Sequence, residues 1–435
     1  MIQRVIKGVS LNIVDFIVNQ VLRELSIFLG LVTLIGCVFL KKSARDTLVS
    51  AVKTVVGVRI LQVGSNTRVD ASKPMMNMLI ARTGLEGRVA DPWVGVGEAL
   101  QRLSPSLVGQ IGLLMIGAWL LHLLIARLTP FKVIYLTMHV AFVDTVLILW
   151  GVSAVTGWTD VRAALLAGVL LALNWTLLPV LVRPFLKSVV GKEEITLGHD
   201  TMAGGIAAVL LAGLAGKSRS AEELPLPGWL AVFKDSAVSY GVVMAAIYTL
   251  IGVIAGPEVG AQFSNGSHYL MFSFMQGVTV AAGLLVLVTG VKMSMAELLP
   301  AFKGVAAIIV PGAVAAVDIP VFISYRPQAA LLGFLSTIAG MAAGILIQII
   351  RGLNYIIVPS VLPIFFGGSL FGVMADARSG WRGVLLSCFI LGIVFILGAA
   401  VYAQVTNMRV AAAGNIDYVL VWLPLFAGLK LFFGR

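Results

Sequence analysis

Six ionisable residues stand inside or at the ends of long apolar stretches of this sequence and are the first candidates for chemistry: His122, His139, Asp144, Lys292, Glu297 and Asp318. A charge in an apolar medium is costly, so such residues tend to serve a function. Asp318 is the strongest candidate because Pro320 follows it, and a helix broken there would direct free backbone groups and a carboxylate at a small polar ligand. His139 can instead be a satisfied core imidazole.

Further polar groups stand beside interrupted apolar segments. His199 and Asp200 directly precede the short apolar stretch 203–216, where they would either clamp a ligand or form an ordinary loop pair. A weak internal sequence repeat is also present. The tripeptides GVR at 57–59 and GVK at 290–292 are each followed about 30 residues later by an aspartate near a proline, in Asp91-Pro92-Trp93 and in Asp318-Ile319-Pro320. Corresponding broken segments in two halves are typical of repeat-built transporters.

The composition indicates the setting of these groups. Hydrophobic residues make up 59% of the 435 residues, charged residues only 12%, and the mean hydropathy is +1.01. A soluble domain carries roughly 25% charged residues, so a soluble globular protein and a disordered chain are both excluded. The net charge of +11 comes from basic residues that punctuate apolar runs, which is typical of cytoplasmic loops and not of a nucleic-acid-binding surface. We therefore expect an all-α integral membrane protein with lipid, not nucleic acid, around it.

Runs of about 20 apolar residues predict about eleven membrane-spanning helices. They cover 25–40, 48–65, 106–126, 133–153, 162–182, 236–256, 269–291, 304–324, 328–350, 384–404 and 417–433. Three further segments are too short, too rich in proline and glycine, or too polar for a simple span: 84–100, 203–216 and 352–373. These predict re-entrant hairpins or broken helices, with surface loops as the alternative. An amphipathic helix is predicted over 1–24.

The polar stretch 217–235 divides one membrane domain into two predicted repeat halves, 1–216 and 236–435. The loop after the first span is basic, which predicts that this loop is cytoplasmic and that the N-terminus is outside. The stretch 66–104 is basic as well, so it either crosses the membrane partially or departs from that rule. Cys37 and Cys388 both lie in apolar runs, which excludes a disulfide framework and a cysteine-ligated metal site. No metal site or cofactor is predicted, and the phosphate-binding loop of ATP-driven pumps is absent.

Six stretches of sequence, taken in order and spacing, carry a resemblance to a known family. They are LGLVTLIGCVFLKKS at 29–43, KTVVGVRILQVGS at 53–65, LPGWLAVFKD at 226–235, TGVKMSMAELLPAF at 289–302, VPGAVAAVD at 310–318 and IIVPSVLPIFFGGSLFGVMADARSGWRG at 356–383. With them the chain resembles the membrane component, EIIC, of the ascorbate-type phosphotransferase system (PTS).

The resemblance implies a homodimer of eleven-span protomers. Each protomer would have a V-shaped dimerisation domain and a core transport domain with inverted repeats and re-entrant hairpins. The core would carry L-ascorbate, or a related sugar or polyol, across the bacterial inner membrane by an elevator-like movement. A phospho-cysteine on EIIB would phosphorylate the sugar on the cytoplasmic side. EIIB and EIIA domains are not expected in this chain, so both are expected as partners in trans, and the chain is expected to be a permease subunit, not an enzyme on its own.

Carried over residue by residue, the resemblance makes Asp318 the ligand-binding aspartate, His139 and His199 ligand histidines, and Gln62 a family glutamine. Asp318 or His139 would orient or deprotonate the substrate hydroxyl. Three positions depart from the family: Val143, which Asp144 follows, and Asp200 each replace a glutamine, and Pro92-Trp93, which Asp91 precedes, replaces a Thr-Tyr pair. A charged Asp200 would repel ascorbate unless it pairs with His199, so a neutral sugar or polyol stays open as the substrate.

Two other function classes remain as alternatives. A proton- or ion-coupled secondary transporter of a small polar solute would keep the fold and use Asp144 and Asp318 as a proton relay. A membrane receptor or scaffold is disfavoured, because broken segments and buried acids are hard to explain without a permeating ligand.

Overall fold

The computed structural model describes residues 24–84, 86–191, 195–225, 236–353 and 355–433. Apart from Glu24, the predicted amphipathic helix over 1–24 lies outside the described residues. The second part of the predicted connection, 226–235, does so too.

The first eight elements of each half follow the same order, two helices before each strand and two after the second, and the halves differ in their last two elements. The first contains α1 (Leu25–Phe39), α2 (Ala44–Thr83), β1 (Glu86–Ala90), α3 (Pro92–Arg102), α4 (Pro105–Leu128), β2 (Val133–Tyr135), α5 (Met138–Thr156), α6 (Val161–Val190), β3 (Ile195–Leu197) and α7 (Met202–Ala212). The second contains α8 (Ser236–Phe263), α9 (Tyr269–Ile309), β4 (Val314–Val317), α10 (Pro320–Ile323), α11 (Pro327–Ile350), β5 (Tyr355–Pro359), α12 (Val361–Ser379), α13 (Trp381–Val405), a π-helical turn (Tyr418–Trp422) and α14 (Leu423–Phe433). This recurrence favours the predicted halves, whose boundaries stay a prediction.

The predicted class, an all-α integral membrane protein, is confirmed. Within the described ranges, 8 helices are long and apolar enough to cross a membrane, and three shorter apolar helices accompany them: Leu29–Phe39, Met202–Ala215 and Tyr418–Phe433. The strands are only three to five residues long and lie among the helices. Short irregular backbone of this kind is tolerated at membrane depth where protein surrounds it.

Two predicted spans differ from the structure. The predicted span 304–324 is wrong, because α9 ends at Ile309 and the chain continues as β4 and α10. Pro311 cannot continue a helix, and Gly312 adopts a positive φ of 72°. The predicted span 133–153 begins as strand β2 and becomes helical only at Met138. Of the three predicted interruptions, 84–100 forms strand β1 and helix α3, 352–373 forms strand β5 and the start of α12, and 203–216 contains the short helix α7. The first part of the basic stretch 66–104, residues 66–83, belongs to helix α2.

The strands form two small parallel sheets in which the two halves exchange elements. β4 of the second half lies between β2 and β3 of the first, with Ala315 opposite both Ile134 and Ile195. β1 of the first half pairs with β5, and Val89 forms a bridge to Ala411. Because the strands are parallel, the residues that follow them meet at one edge of each sheet.

The halves also meet where α2 crosses α9. Gly57 and Gly64 of α2 contact the α9 backbone near Gly290 and Gly283, and a Cβ at Gly64 would overlap the backbone of Leu287. Missing side chains let two helices approach this closely inside a membrane. Helices α1, α2, α8 and α9 pack on one another, and α4–α7 pack with α11–α14, so the helices form two groups.

Candidate functional site

Three residues singled out in the sequence meet at the carboxyl edge of the β2–β4–β3 sheet. His139 lies in the first turn of α5, just after β2, while Asp318 directly follows β4 and His199 follows β3. Ligands commonly bind at the carboxyl ends of parallel strands in α/β proteins, for the same geometric reason. The sheet register therefore brings together side chains that are far apart in sequence.

His139 and Asp318 face each other without sharing a hydrogen bond. Nε2 of His139 is 3.7 Å from Oδ2 of Asp318, and the two side chains are 19% and 27% exposed. That distance is too long for a hydrogen bond. The other oxygen of Asp318 accepts from the amide of Ile319 at 2.7 Å. A substrate hydroxyl in this gap could donate to the carboxylate and also contact the imidazole.

Unsatisfied polar atoms occur at His139 and at Thr137, two residues before it. Nδ1 of His139 and the hydroxyl of Thr137 are buried and lack a hydrogen-bond partner in the part of the chain that the structure describes. Nδ1 of His199 is 3.5 Å from the hydroxyl of Thr201, at the outer limit of a hydrogen bond. Buried polar atoms are normally paired, so these indicate a place for a polar ligand or water. Helices α5 and α7 both begin beside these residues, and helix N-termini favour negative charge.

An aromatic pair lies beside His139 and also lines a large cavity. The rings of Trp93 and Phe142 stack with centroids 6.3 Å apart. Both side chains line a small pocket together with His139, and both also line a cavity of about 900 Å³. Gln62 lies on that cavity and accepts a hydrogen bond from Arg59 at 3.0 Å. The cavity lies between α2 and α3–α4, that is, between the two groups of helices.

Asp91 and Pro92, two other predicted ligand residues, hold the start of α3 in place. Asp91 accepts from the amides of Trp93 and Val94 at 2.8 and 3.1 Å, and it forms an ion pair with Arg68 at 2.8 Å. Pro92 is buried, and a Cβ at Gly414 would overlap it. Both residues thus have contacts that position Trp93, and direct contact with a ligand stays a prediction.

Asp144 and Asp200 lie in a buried cluster of their own. Asp144 accepts from the indole N–H of Trp175 at 3.0 Å and from the hydroxyl of Tyr418 at 2.9 Å. Asp200 is 1% exposed and accepts a long hydrogen bond, of 3.5 Å, from the side-chain amide of Asn415. Val143 is a buried apolar residue of α5. The structure offers no direct support for ligand contacts at these three positions, which stay predictions.

Sequence reasoning missed several residues that the structure places here. Arg68, Thr137, Phe142 and Asp417 carry no signal in the sequence, except that Asp417 begins an apolar run. His122, a candidate from the sequence, is a satisfied core histidine, because Tyr135 N donates to its Nε2 at 3.0 Å and Thr176 lies 2.7 Å from its Nδ1. Glu297 pairs with Lys53 at 3.2 Å.

Helices long and apolar enough to span a membrane, short strand–helix units between them and a polar gap are features typical of a membrane permease for a small polar solute. The family model described as "PTS system sugar-specific permease component" matches residues 20–417, and the chain belongs to this family. It is 25% identical to the "Ascorbate-specific PTS system EIIC component" of Mycoplasma pneumoniae (strain ATCC 29342 / M129 / Subtype 1), over 92% of this chain and 68% of that protein. The chain is thus a multi-pass protein of the bacterial inner membrane and a transport subunit, not an enzyme on its own.

Proposed function

We propose that this EIIC permease binds L-ascorbate, or a closely related small sugar or polyol, between His139, His199 and Asp318. The observation that carries the proposal is the 3.7 Å gap between His139 and Asp318, together with the buried Nδ1 of His139 and hydroxyl of Thr137, which lack partners among the described residues. A ligand rich in hydroxyls satisfies such a set, because each hydroxyl both donates and accepts. The ascorbate-specific name of the similar Mycoplasma protein supports the choice of substrate.

The charge around the gap is compatible with an anion. Asp318 is the partly exposed carboxylate of the gap, and the N-terminal ends of α5 and α7 offset its charge. Asp200, whose charge would repel ascorbate if it faced the gap, is buried next to Asp144. The reason to prefer a neutral polyol over ascorbate is therefore weaker than the sequence alone suggests.

Phosphorylation from the cytoplasmic side fits the direction of the strands. Exposed basic residues precede β2 (Arg127 and Lys132) and β3 (Arg183 and Lys187). Basic ends of spanning segments are typical of the cytoplasmic face, so these strands run from that face towards the gap. A phospho-cysteine of EIIB, acting in trans and recharged by EIIA, would transfer its phosphoryl group to a sugar hydroxyl that Asp318 or His139 orients. Positioning and electrostatics provide most of the catalysis in such a transfer.

The two groups of helices are compatible with an elevator. The group α1, α2, α8 and α9 would form the V-shaped scaffold of a homodimer, and the group that carries the gap would move against it. A cavity of about 900 Å³ lies between the two groups.

Uptake and binding test the proposal. Asp318→Asn and His139→Ala should each abolish uptake of labelled ascorbate in cells that supply EIIB and EIIA. Each purified variant should also need at least about tenfold more ascorbate than the wild type to reach the same thermal stabilisation. The matched control is Asp70→Asn, since Asp70 is an exposed carboxylate on α2. The residue assignment is wrong if both variants bind and transport as the wild type does.

Two further outcomes address the alternatives. Stabilisation by a neutral pentitol or hexitol, and none by ascorbate, would assign the gap to polyols. Uptake that persists without EIIB and follows a pH gradient would instead identify a proton-coupled transporter.

A further inference from the structure

Three aspartates are buried together beside the candidate site: Asp144, Asp200 and Asp417, none more than 1% exposed. Asp417 is well satisfied, because the amides of Ala203 and Gly204 donate to its two oxygens at 3.0 and 2.9 Å. These amides belong to the N-terminal end of α7, which stabilises a negative charge. Both oxygens of Asp417 therefore have a backbone partner.

Asp144 and Asp200 form a pair without a cation. Their carboxyl groups lie next to each other. Neither belongs to any ion pair found among the described residues. Two ionised carboxylates in contact repel each other, and burial strengthens this repulsion because no water screens it.

Asp200 has an oxygen that finds no donor. Its Oδ2 is 3.5 Å from the amide of Asn415, and its Oδ1 is buried without a partner in the described part of the chain. The buried hydroxyls of Tyr135 and Tyr402 also lack partners there. The two rings pack against the donors to Asp144, at centroid distances of 5.6 Å to Trp175 and 5.8 Å to Tyr418. The unpaired groups thus cluster around this pair of carboxyls.

We propose that Asp144 and Asp200 form a proton-binding site that holds one proton, carried by Asp200 and donated to Asp144. A protonated carboxyl is a donor, so the proton gives Asp200 a partner and removes the repulsion. Asp144 can accept it, because each of its oxygens has two lone pairs and receives one hydrogen bond from Trp175 or Tyr418. A metal ion fits less well, since both of these donors direct hydrogens at Asp144.

The proton site is tied to the candidate site through the backbone. Asp200 is the next residue after His199, and its carbonyl accepts from the amide of Asp417 at 3.2 Å. Loss of the proton would place two charges at the turn that holds His199. The protein should therefore lose stability, and His199 its fixed position, as the pH rises. This inference stands whichever sugar the permease carries.

Other titratable groups face the pair from each neighbouring element. They are Tyr135 on β2, Asp417 beside α7, Tyr402 on α13 and Tyr418 on the π-helical turn, and the histidine His199 directly precedes Asp200 in the chain. Only the histidine can become positive, and it does so at lower pH, where the pair already holds its proton. The predicted loss at alkaline pH therefore belongs to the carboxyl pair.

The test compares the purified full-length protein with Asp200→Asn, which keeps a donor and an acceptor in the same shape and needs no proton. We expect the wild type to show the infrared C=O band of a protonated carboxyl, with the deuterium shift of an exchangeable proton. Its unfolding temperature should fall as the pH rises from mildly acidic to alkaline, with a dependence equivalent to about one proton. Asp200→Asn should lose both signals, and the exposed control Asp70→Asn should keep both.

Three results would overturn the proposal. These are absence of the infrared band in the wild type at neutral pH, a band and pH slope that persist in Asp200→Asn, and stabilisation that follows Na⁺ concentration at constant pH. If Asp200→Asn yields no folded protein, Asp144→Asn takes its place with the same expectation, because its amide can donate to Asp200.

Discussion

Arg68→Met should destabilise this protein far more than the loss of a surface ion pair. Nη1 of Arg68 is 2.8 Å from one oxygen of Asp91 and Nη2 is 3.0 Å from the other, and the two side chains are 5% and 1% exposed. Nη1 also donates to the hydroxyl of Ser360 at 3.2 Å. The variant leaves the Asp91 carboxylate buried, with the amides of Trp93 and Val94 as its remaining partners.

The magnitude follows from the burial of both partners. Removal of one member of a buried ion pair costs about 3–5 kcal/mol, because the other charge stays buried without compensation. Methionine keeps the helix and much of the apolar volume of arginine. The double variant Arg68→Met/Asp91→Asn removes the uncompensated charge and keeps the helix cap, since asparagine caps as well as aspartate does. Its net loss should be only about 1 kcal/mol.

Unfolding of the detergent-solubilised protein by heat or denaturant measures these differences. The matched control is Arg59→Met on the same helix, because Arg59 is 63% exposed and pairs with Glu24 at 3.3 Å. An exposed pair of this kind is worth at most about 1 kcal/mol. The reasoning fails if Arg68→Met loses no more stability than Arg59→Met, or if the double variant is less stable than Arg68→Met.

Two other perturbations follow from close contacts elsewhere. Gly64→Ala should cost at least about 2 kcal/mol in unfolding measurements, since its Cβ would overlap the α9 backbone. The control is Gly117→Ala, where the added Cβ would have no neighbour within 4 Å, so that variant should be neutral or slightly stabilising. Equal losses of stability in the two variants would contradict the close crossing of α2 and α9. Glu98→Ala should cost about 2–4 kcal/mol, because the Glu98 carboxylate accepts from the amides of residues 409, 410 and 411 at 2.6, 3.0 and 2.8 Å. Hydrogen exchange should accelerate at those amides, and unchanged exchange would argue against this role.

The membrane class and the principal candidate residues could be predicted from the sequence for one physical reason. Charges are rare in apolar runs, so His139 and Asp318 stand out from the sequence alone. The strands could not be predicted in the same way, because a buried strand and a buried helix segment are both continuous apolar runs. For this reason β2 is hidden inside the predicted span 133–153. Only a strong local signal, such as Pro311-Gly312, marks such a break.

The Asp144–Asp200 pair shows a second limit of sequence reasoning. The sequence predicts both residues as ligand contacts because Asp144 lies in an apolar run and follows Val143, a position carried over from the family, and because Asp200 itself occupies such a position before a short apolar stretch. Their actual partners, Trp175, Tyr418 and Asn415, come from other helices and turns. No local pattern predicts a hydrogen bond between residues so far apart, since tertiary packing alone brings them together.

The weak internal sequence repeat that includes Asp91 and Asp318 acquires a structural meaning. Asp91 directly follows β1, which lies between β5 and Ala411, and Asp318 directly follows β4, which lies between β2 and β3. The two aspartates thus occupy equivalent places in the exchanged sheets. Asp91 pairs with Arg68 and accepts hydrogen bonds from the first amides of α3, whereas Asp318 lies 3.7 Å from His139 and is partly exposed. The same backbone position therefore holds a buried, ion-paired aspartate in one half and a partly exposed aspartate in the other.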